Sequence, residues 1–155
     1  MSFRITGLSP EPFRELFGLD DAELARRGAR RVVADAKPGF PDRVEMRDAE
    51  PGETLLLLNH VCQPAATPYH ARHAIFVREG AQMPYDRIDE VPEVMRGRIL
   101  SLRAFDAEGM MVDADLTEGR EIESLIARLF ANPEVAYIHA HNAKRGCYSG
   151  RIDRA

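Results

Sequence analysis

The stretch of sequence that decides the fold reads Tyr137-Ile138-His139-Ala140-His141-Asn142-Ala143-Lys144-Arg145-Gly146-Cys147-Tyr148. If it forms a strand, a turn and a second strand, the alternation places Tyr137, His139 and His141 on one face and the apolar residues between them on the other. A loop over residues 142–146 then opposes His141 with Cys147, His139 with Ser149 and Tyr137 with Arg151. The pattern therefore predicts a hairpin with two imidazoles and a thiol on one polar face.

A second hairpin is predicted over residues 99–116. The loop Ala107-Glu108-Gly109 has Gly at the left-handed position and pairs Asp106 with Met110. This register sets Arg103 opposite Asp113 and Ser101 opposite Asp115. The other face then gathers apolar residues from both strands: Leu100, Leu102, Ala104, Val112, Ala114 and Leu116.

The helical signals are one strong segment and two weak ones. Residues 120–131 carry apolar side chains at helical spacing and are followed by Asn132-Pro133, which ends a helix. Ser9-Pro10 and the Asp20 to Glu23 capping pattern begin two short helices near the N-terminus. With the short connections elsewhere, these signals predict an α+β fold: a mixed, mainly antiparallel sheet, one long covering helix near the C-terminus and two short N-terminal helices.

The middle of the chain alternates between strand and loop signals. Leu55 to Leu58 is a continuous apolar run, as expected for a buried central strand. Val61 to Arg72 has no period and several breaks, so it is predicted to be an irregular loop. A strand resumes from His73 to Glu79.

Composition limits the class of protein. At 155 residues and 45% hydrophobic content, the chain is expected to form one domain, residues 1–155. There is no long apolar run and no signal-peptide pattern, so we expect a cytoplasmic protein with no membrane partner and with Cys62 and Cys147 as free thiols. The net charge of −4 and the scattered arginines argue against nucleic acid. The sequence allows either a monomer or a homodimer.

Four segments carry a family resemblance: residues 37–41, residues 73–79, residues 102–106 with 109–113, and residues 139–148. On these the chain resembles, over essentially its whole length, the bacterial family labelled domain of unknown function 1203. It differs from the family pattern just before His73, where it has Tyr69-His70 and Arg72. The resemblance implies no mechanism, because the family label assigns none.

The polar face of the last hairpin supplies the candidate site. His139, His141 and Cys147 are the candidate catalytic residues, either as base, partner and nucleophile or as ligands of a zinc ion with an open fourth position. Asp113 or His73 could replace the thiol as a ligand. The candidate substrate-binding residues are His73, Arg103, Asp113, Asn142, Arg145 and Tyr148.

Three functional readings remain open at this stage. The first is a small enzyme that acts on a small polar or anionic metabolite through a cleft lined by His and Cys. The second is a non-catalytic module that binds a small anion on the same face. In the third, the polar face is merely solvated. The sharpest expectation is that Cys147 is an activated thiol or a metal thiolate, while Cys62 is ordinary.

Overall fold

Two antiparallel sheets make up the framework. A computed structural model of the protein describes residues 1–155. Its strands are β1 (Phe3–Thr6), β2 (Arg30–Val33), β3 (Thr54–Gln63), β4 (Ala71–Arg78), β5 (Asp86–Ile88), β6 (Ile99–Phe105), β7 (Met111–Glu118), β8 (Tyr137–Asn142) and β9 (Tyr148–Arg154). The order is β5-β1-β9-β8-β6-β7 in a six-stranded sheet and β2-β3-β4 in a three-stranded sheet. The predicted α+β fold with mainly antiparallel pairing is confirmed.

All four α-helices are short. They are α1 (Glu11–Arg14), α2 (Asp21–Arg26), α3 (Glu93–Arg96) and α4 (Ile122–Phe130). The two N-terminal helices match the prediction, and Asp20 caps α2 by accepting a hydrogen bond from the Glu23 amide at 2.8 Å.

The prediction of one long covering helix is wrong. The nine residues of α4 follow a single 3-10 turn over residues 119–121. The α-helix begins only at Ile122 because the preceding residue, Glu121, has φ −117° and ψ 15°, which lies outside the α-helical region. The predicted apolar face of this helix is confirmed, since Ile122, Ile126 and Leu129 are all almost fully buried.

The six-stranded sheet has two different faces. One face carries Leu100, Leu102, Ile138 and Ala140, all 0% exposed, and packs against α4 in the main core. The opposite face carries the alternating residues of the same strands and meets the three-stranded sheet. No helix in the structure is long and apolar enough to cross a membrane.

The hairpin of β6 and β7 has a different register from the predicted one. Gly109 adopts φ 88° as expected. However, Phe105 pairs with Met111 and Ala104 with Asp113, so Val112 is the extra residue of a β-bulge. Arg103 therefore lies opposite Ala114, and Asp113 moves to the face that α4 covers.

The hairpin of β8 and β9 is shifted in the same way. Ala140 opposes Gly150 but His141 opposes Tyr148, so Ser149 is the bulged residue. The predicted pairing of His141 with Cys147 is wrong, because the turn sets Cys147 beside Asn142 and Tyr148 opposite His141. Beyond the bulge His139 opposes Arg151, so its predicted pairing with Ser149 is wrong as well.

The segment predicted as an irregular loop, Val61 to Arg72, is a loop only over residues 64–70, and both of its ends belong to strands. β3 continues to Gln63 and β4 begins at Ala71, with His60 directly opposite His73. Pairing between the two strands overrides the weak local signals. Cys62 is consequently held in a sheet.

Candidate metal centre and cleft

Three side chains from the two sheets converge on one point. Cys62 comes from β3, His73 from β4 and His141 from β8. One donor atom from each, the Sγ or a ring nitrogen, lies within 4.8 Å of the other two. Tetrahedral zinc would bring such atoms to about 3.5 Å from one another. A modest contraction of this cluster, which we call the Cys-His-His cluster, would therefore complete a three-ligand metal site.

His141 is oriented by the hairpin that follows it. Its Nδ1 lies 2.9 Å from the carbonyl oxygen of Gly146. Since a carbonyl can only accept, Nδ1 carries the proton and Nε2 keeps its lone pair. A backbone or carboxylate acceptor on the far nitrogen is the usual support for a metal-binding histidine. The geometry therefore prepares Nε2 as a ligand.

Burial keeps the members of the cluster uncharged. It lowers the pKa of His141 to about 3 and also lowers the pKa of His73, with the Arg103 charge adding to both effects. Burial also raises the pKa of the Cys62 thiol. A thiolate–imidazolium pair, as a cysteine nucleophile would need, is disfavoured by both shifts. Neutral imidazoles and a thiol that loses its proton on coordination are instead what a metal ion requires.

His139 is the second buried imidazole of this face. Only 4% of the residue is exposed, and its Nδ1 has no hydrogen-bond partner. Its ring is surrounded by aromatic rings, with centroids 5.1 Å from Phe105 and Tyr137 and 5.2 Å from Tyr148. Burial, followed by the charges of Arg151 and Arg103, lowers the pKa of His139 to about 4. His139 is therefore a neutral imidazole that lacks a partner.

Arg103 carries a charge that lowers the pKa of each histidine of the site described above and of the Cys62 thiol. It pairs with His139 across β6 and β8, and its charge acts on His73, His139, His141 and Cys62. Its guanidinium donates only to the Ser101 hydroxyl, at 3.3 Å, and forms no salt bridge. An uncompensated guanidinium beside the cluster is available to an anion.

A cleft of about 470 Å³ opens next to the cluster. Cys62, His139 and Tyr148 belong to its wall, with Gln63 and Arg151 as the remaining polar side chains. The volume is in the range of small-molecule sites. The thiol of the Cys-His-His cluster thus borders a space in which a ligand could lie.

Cys147 lies apart from the imidazoles. Its Sγ accepts from Arg43 at 3.2 Å and from the Asn142 amide at 3.5 Å. The cluster therefore contains Cys62 where the sequence suggested Cys147, because the turn of the last hairpin sets Cys147 beside Asn142 and Tyr148 opposite His141. Asn142 stays with Cys147, and its buried Oδ1 has no partner.

Two other predicted residues lie outside the site. Asp113 is on the opposite face of the sheet, where Arg128 lies 3.9 Å from it and pairs more closely with Asp115. Arg145 is exposed at the tip of the last hairpin. His73, Arg103 and Tyr148 are in the predicted neighbourhood.

Sequence reasoning assigned no role in the site to Cys62, Gln63, Arg151 or Arg43. For Cys62 a signal existed, since Asn59-His60-Val61-Cys62 directly continues an apolar strand. Arg43 gives no signal among so many arginines. It is 2% exposed and donates to the carbonyls of Pro41 and Tyr148 as well as to Cys147.

Comparison with known proteins identifies the family. The family described as protein of unknown function (DUF1203) matches residues 39–154, so the chain belongs to it. No curated protein and no solved structure gives a significant match.

Proposed function

We propose that the protein is a small metal-dependent enzyme in which Cys62, His73 and His141 hold a zinc ion that activates water against a small anionic substrate. The observation that carries the proposal is the convergence of three donor atoms from two sheets within 4.8 Å. Three protein ligands leave one tetrahedral position open, which is typical of catalytic zinc.

The ligand set favours a transition metal. A thiol and two imidazoles suit zinc, whereas Mg²⁺ and Ca²⁺ prefer oxygen ligands. The Gly146 carbonyl bonded to Nδ1 of His141 is the kind of support that metal-binding histidines have.

The surroundings suit hydrolysis of an anionic substrate. Zinc lowers the pKa of a bound water to about 7 and so supplies hydroxide at neutral pH. Arg103 has no carboxylate partner and can stabilise the negative charge that develops when hydroxide attacks. The reaction class is therefore metal-assisted hydrolysis.

Zinc titration of the metal-free protein tests the metal centre. One equivalent should bind, and a concentration of 100 times the Kd should stabilise the fold by about 2.7 kcal/mol, which corresponds to a Tm increase of roughly 5–10 °C. Cys62→Ser and His73→Ala should each lose the tight site. Cys147→Ser is the matched control and should keep it. Equal zinc affinity in Cys62→Ser and the wild type would refute the proposal.

The unpaired Arg103 also favours a second candidate, a non-catalytic module that binds a small anion. The two functions separate in a turnover assay of the zinc-loaded protein with 4-nitrophenyl acetate and 4-nitrophenyl phosphate. Hydrolysis that depends on Cys62 supports the enzyme. Zinc binding without hydrolysis of either ester, together with anion binding that is lost in Arg103→Met, supports the module.

A further inference from the structure

The cleft beside the Cys-His-His cluster has an apolar wall. Leu8, Val61, Pro64 and Ala65 line it together with the rings of Tyr137 and Tyr148. A fully polar metabolite would gain little from displacing water from such a wall. The lining therefore favours a ligand with an apolar body.

His139, which also lines the cleft, has a buried ring nitrogen without a hydrogen-bond partner. A buried polar nitrogen without a partner destabilises the fold, and natural structures tolerate such a group mainly where a ligand or water completes it. A 180° flip of the ring about Cβ–Cγ exchanges Nδ1 with Cδ2 and Nε2 with Cε1, so it moves Nδ1 to the other side of the ring. The residue lines the cleft, although Nδ1 is closed to solvent with the ring as it stands, so a polar atom of a bound molecule can supply the missing partner when the ring turns Nδ1 towards the cleft.

Arg151 supplies one limited anion contact. Its guanidinium lies 4.2 Å from the centroid of the Tyr137 ring and is held by Asp153 through Nε and NH2. NH1 makes no hydrogen bond in the protein. Although Asp153 already offsets much of this charge, a carboxylate of a bound molecule can accept a charge-assisted hydrogen bond from NH1.

We propose that the cleft binds a small carboxylic acid with an apolar body, its carboxylate on Arg151 and its body against Leu8, Val61 and Pro64. A second polar group of the ligand completes His139. The substrate class rests on the proposed function, in which Cys62 at the cleft wall holds the metal near the reacting group. The cleft volume of about 470 Å³ suits an acid with one ring.

Ligand titration of the zinc-free protein, followed by amide NMR shifts, tests the proposal without the metal. The probes are benzoate, 3-phenylpropionate and hexanoate, with benzamide as the neutral analogue and inorganic phosphate as the dianion. At least one acid should bind and shift the amides of residues 61–65 and 137–139. Benzamide should bind at least about tenfold more weakly than benzoate, and phosphate should not compete.

Variants assign the contacts. Arg151→Met should weaken acid binding at least tenfold, while Arg145→Met, at the exposed hairpin tip, should leave it unchanged. Arg151→Lys, which keeps the charge, should show a smaller loss and serves if the Met variant folds poorly. His139→Phe should weaken binding while keeping or raising the Tm, because an unpartnered nitrogen is removed.

The outcomes separate the two proposals. Binding of none of the acids, equal binding of benzamide and benzoate, or equal binding by Arg151→Met and wild type would overturn the substrate class even if zinc binds. Acid binding by a protein that takes up no zinc would overturn the metal-dependent enzyme and leave the cleft ligand standing.

Discussion

His73 and His141 meet edge to face, with ring centroids 5.0 Å apart, although they belong to different sheets. Both rings are kept neutral by burial, so they approach without charge repulsion. The contact shows that the candidate site is a property of the whole fold. Neither sheet alone contains it.

Cobalt substitution provides a spectroscopic check of the thiol ligand. We expect Co²⁺ added to the metal-free protein to give a thiolate-to-metal charge-transfer band, because Cys62 belongs to the cluster. The band should disappear in Cys62→Ser and persist in Cys147→Ser. The opposite result would return the site to the cysteine that sequence reasoning favoured.

Ile138 tests the division between the two faces of β8. It is 0% exposed and lies in the main core, so Ile138→Asp should lose at least about 4 kcal/mol of unfolding free energy, because a carboxylate would be buried without a partner. Ile138→Val should lose only about 1 kcal/mol. Urea denaturation measures both, and a mild effect of Asp would show that this face is not sealed.

Gly119 tests how closely the backbone before α4 approaches the Met95 carbonyl. A Cβ there would lie 1.7 Å from the carbonyl oxygen of Met95, so Gly119→Ala should lose more than about 2 kcal/mol. A Cβ on Gly97 meets nothing within 4 Å, and Gly97→Ala should stay within about 0.5 kcal/mol of the wild type. Thermal denaturation compares the two variants, and similar Tm values would contradict the packing.

The ion pair of Glu79 with Arg31 is expected to account for part of the stability that the fold loses in acid. The Arg31 guanidinium at 2.7 Å, with the Gly18 amide and the Thr54 hydroxyl, lowers the pKa of Glu79 from 4.5 to about 2. A depressed pKa in the folded state stabilises the protein above about pH 4.5, and this stabilisation is lost as the pH falls towards 2.

Glu79→Gln should therefore destabilise the fold at pH 7 and converge with the wild type near pH 2. Glu108→Gln, at an exposed position, is the control, and its stability should stay close to that of the wild type at every pH. Denaturant titrations from pH 7 to pH 2 measure the difference, and a constant gap between Glu79→Gln and wild type would argue against this ion pair as its source.

The sequence predicted the elements better than their registers. Apolar spacing located the buried residues of α4, and Gly109 marked its turn correctly. The register of the first hairpin failed because Val112 is bulged, and a bulge changes which residues share a face without changing the local pattern. The register of the last hairpin failed at its turn, which pairs His141 with Tyr148, and the bulge at Ser149 shifts the pairs beyond it by one more residue.

Only part of the candidate site could be predicted from the sequence. The shared face of His139 and His141 follows from alternation within one strand. Cys62 and His73 reach it through pairing of β3 with β4 and packing of one sheet on the other, which single-strand patterns do not encode. The cysteine nearer in sequence was therefore chosen over the one nearer in space.

Arg43 has a consequence for how the chain folds. Its hydrogen bond to the Tyr148 carbonyl joins residues 105 positions apart, within a loop whose backbone also bonds to Leu8 and Phe76. Contacts this distant in sequence form only after a large loss of chain entropy, and they slow folding. We therefore expect the segment around Arg43 to become protected late in refolding, after the terminal hairpin has formed.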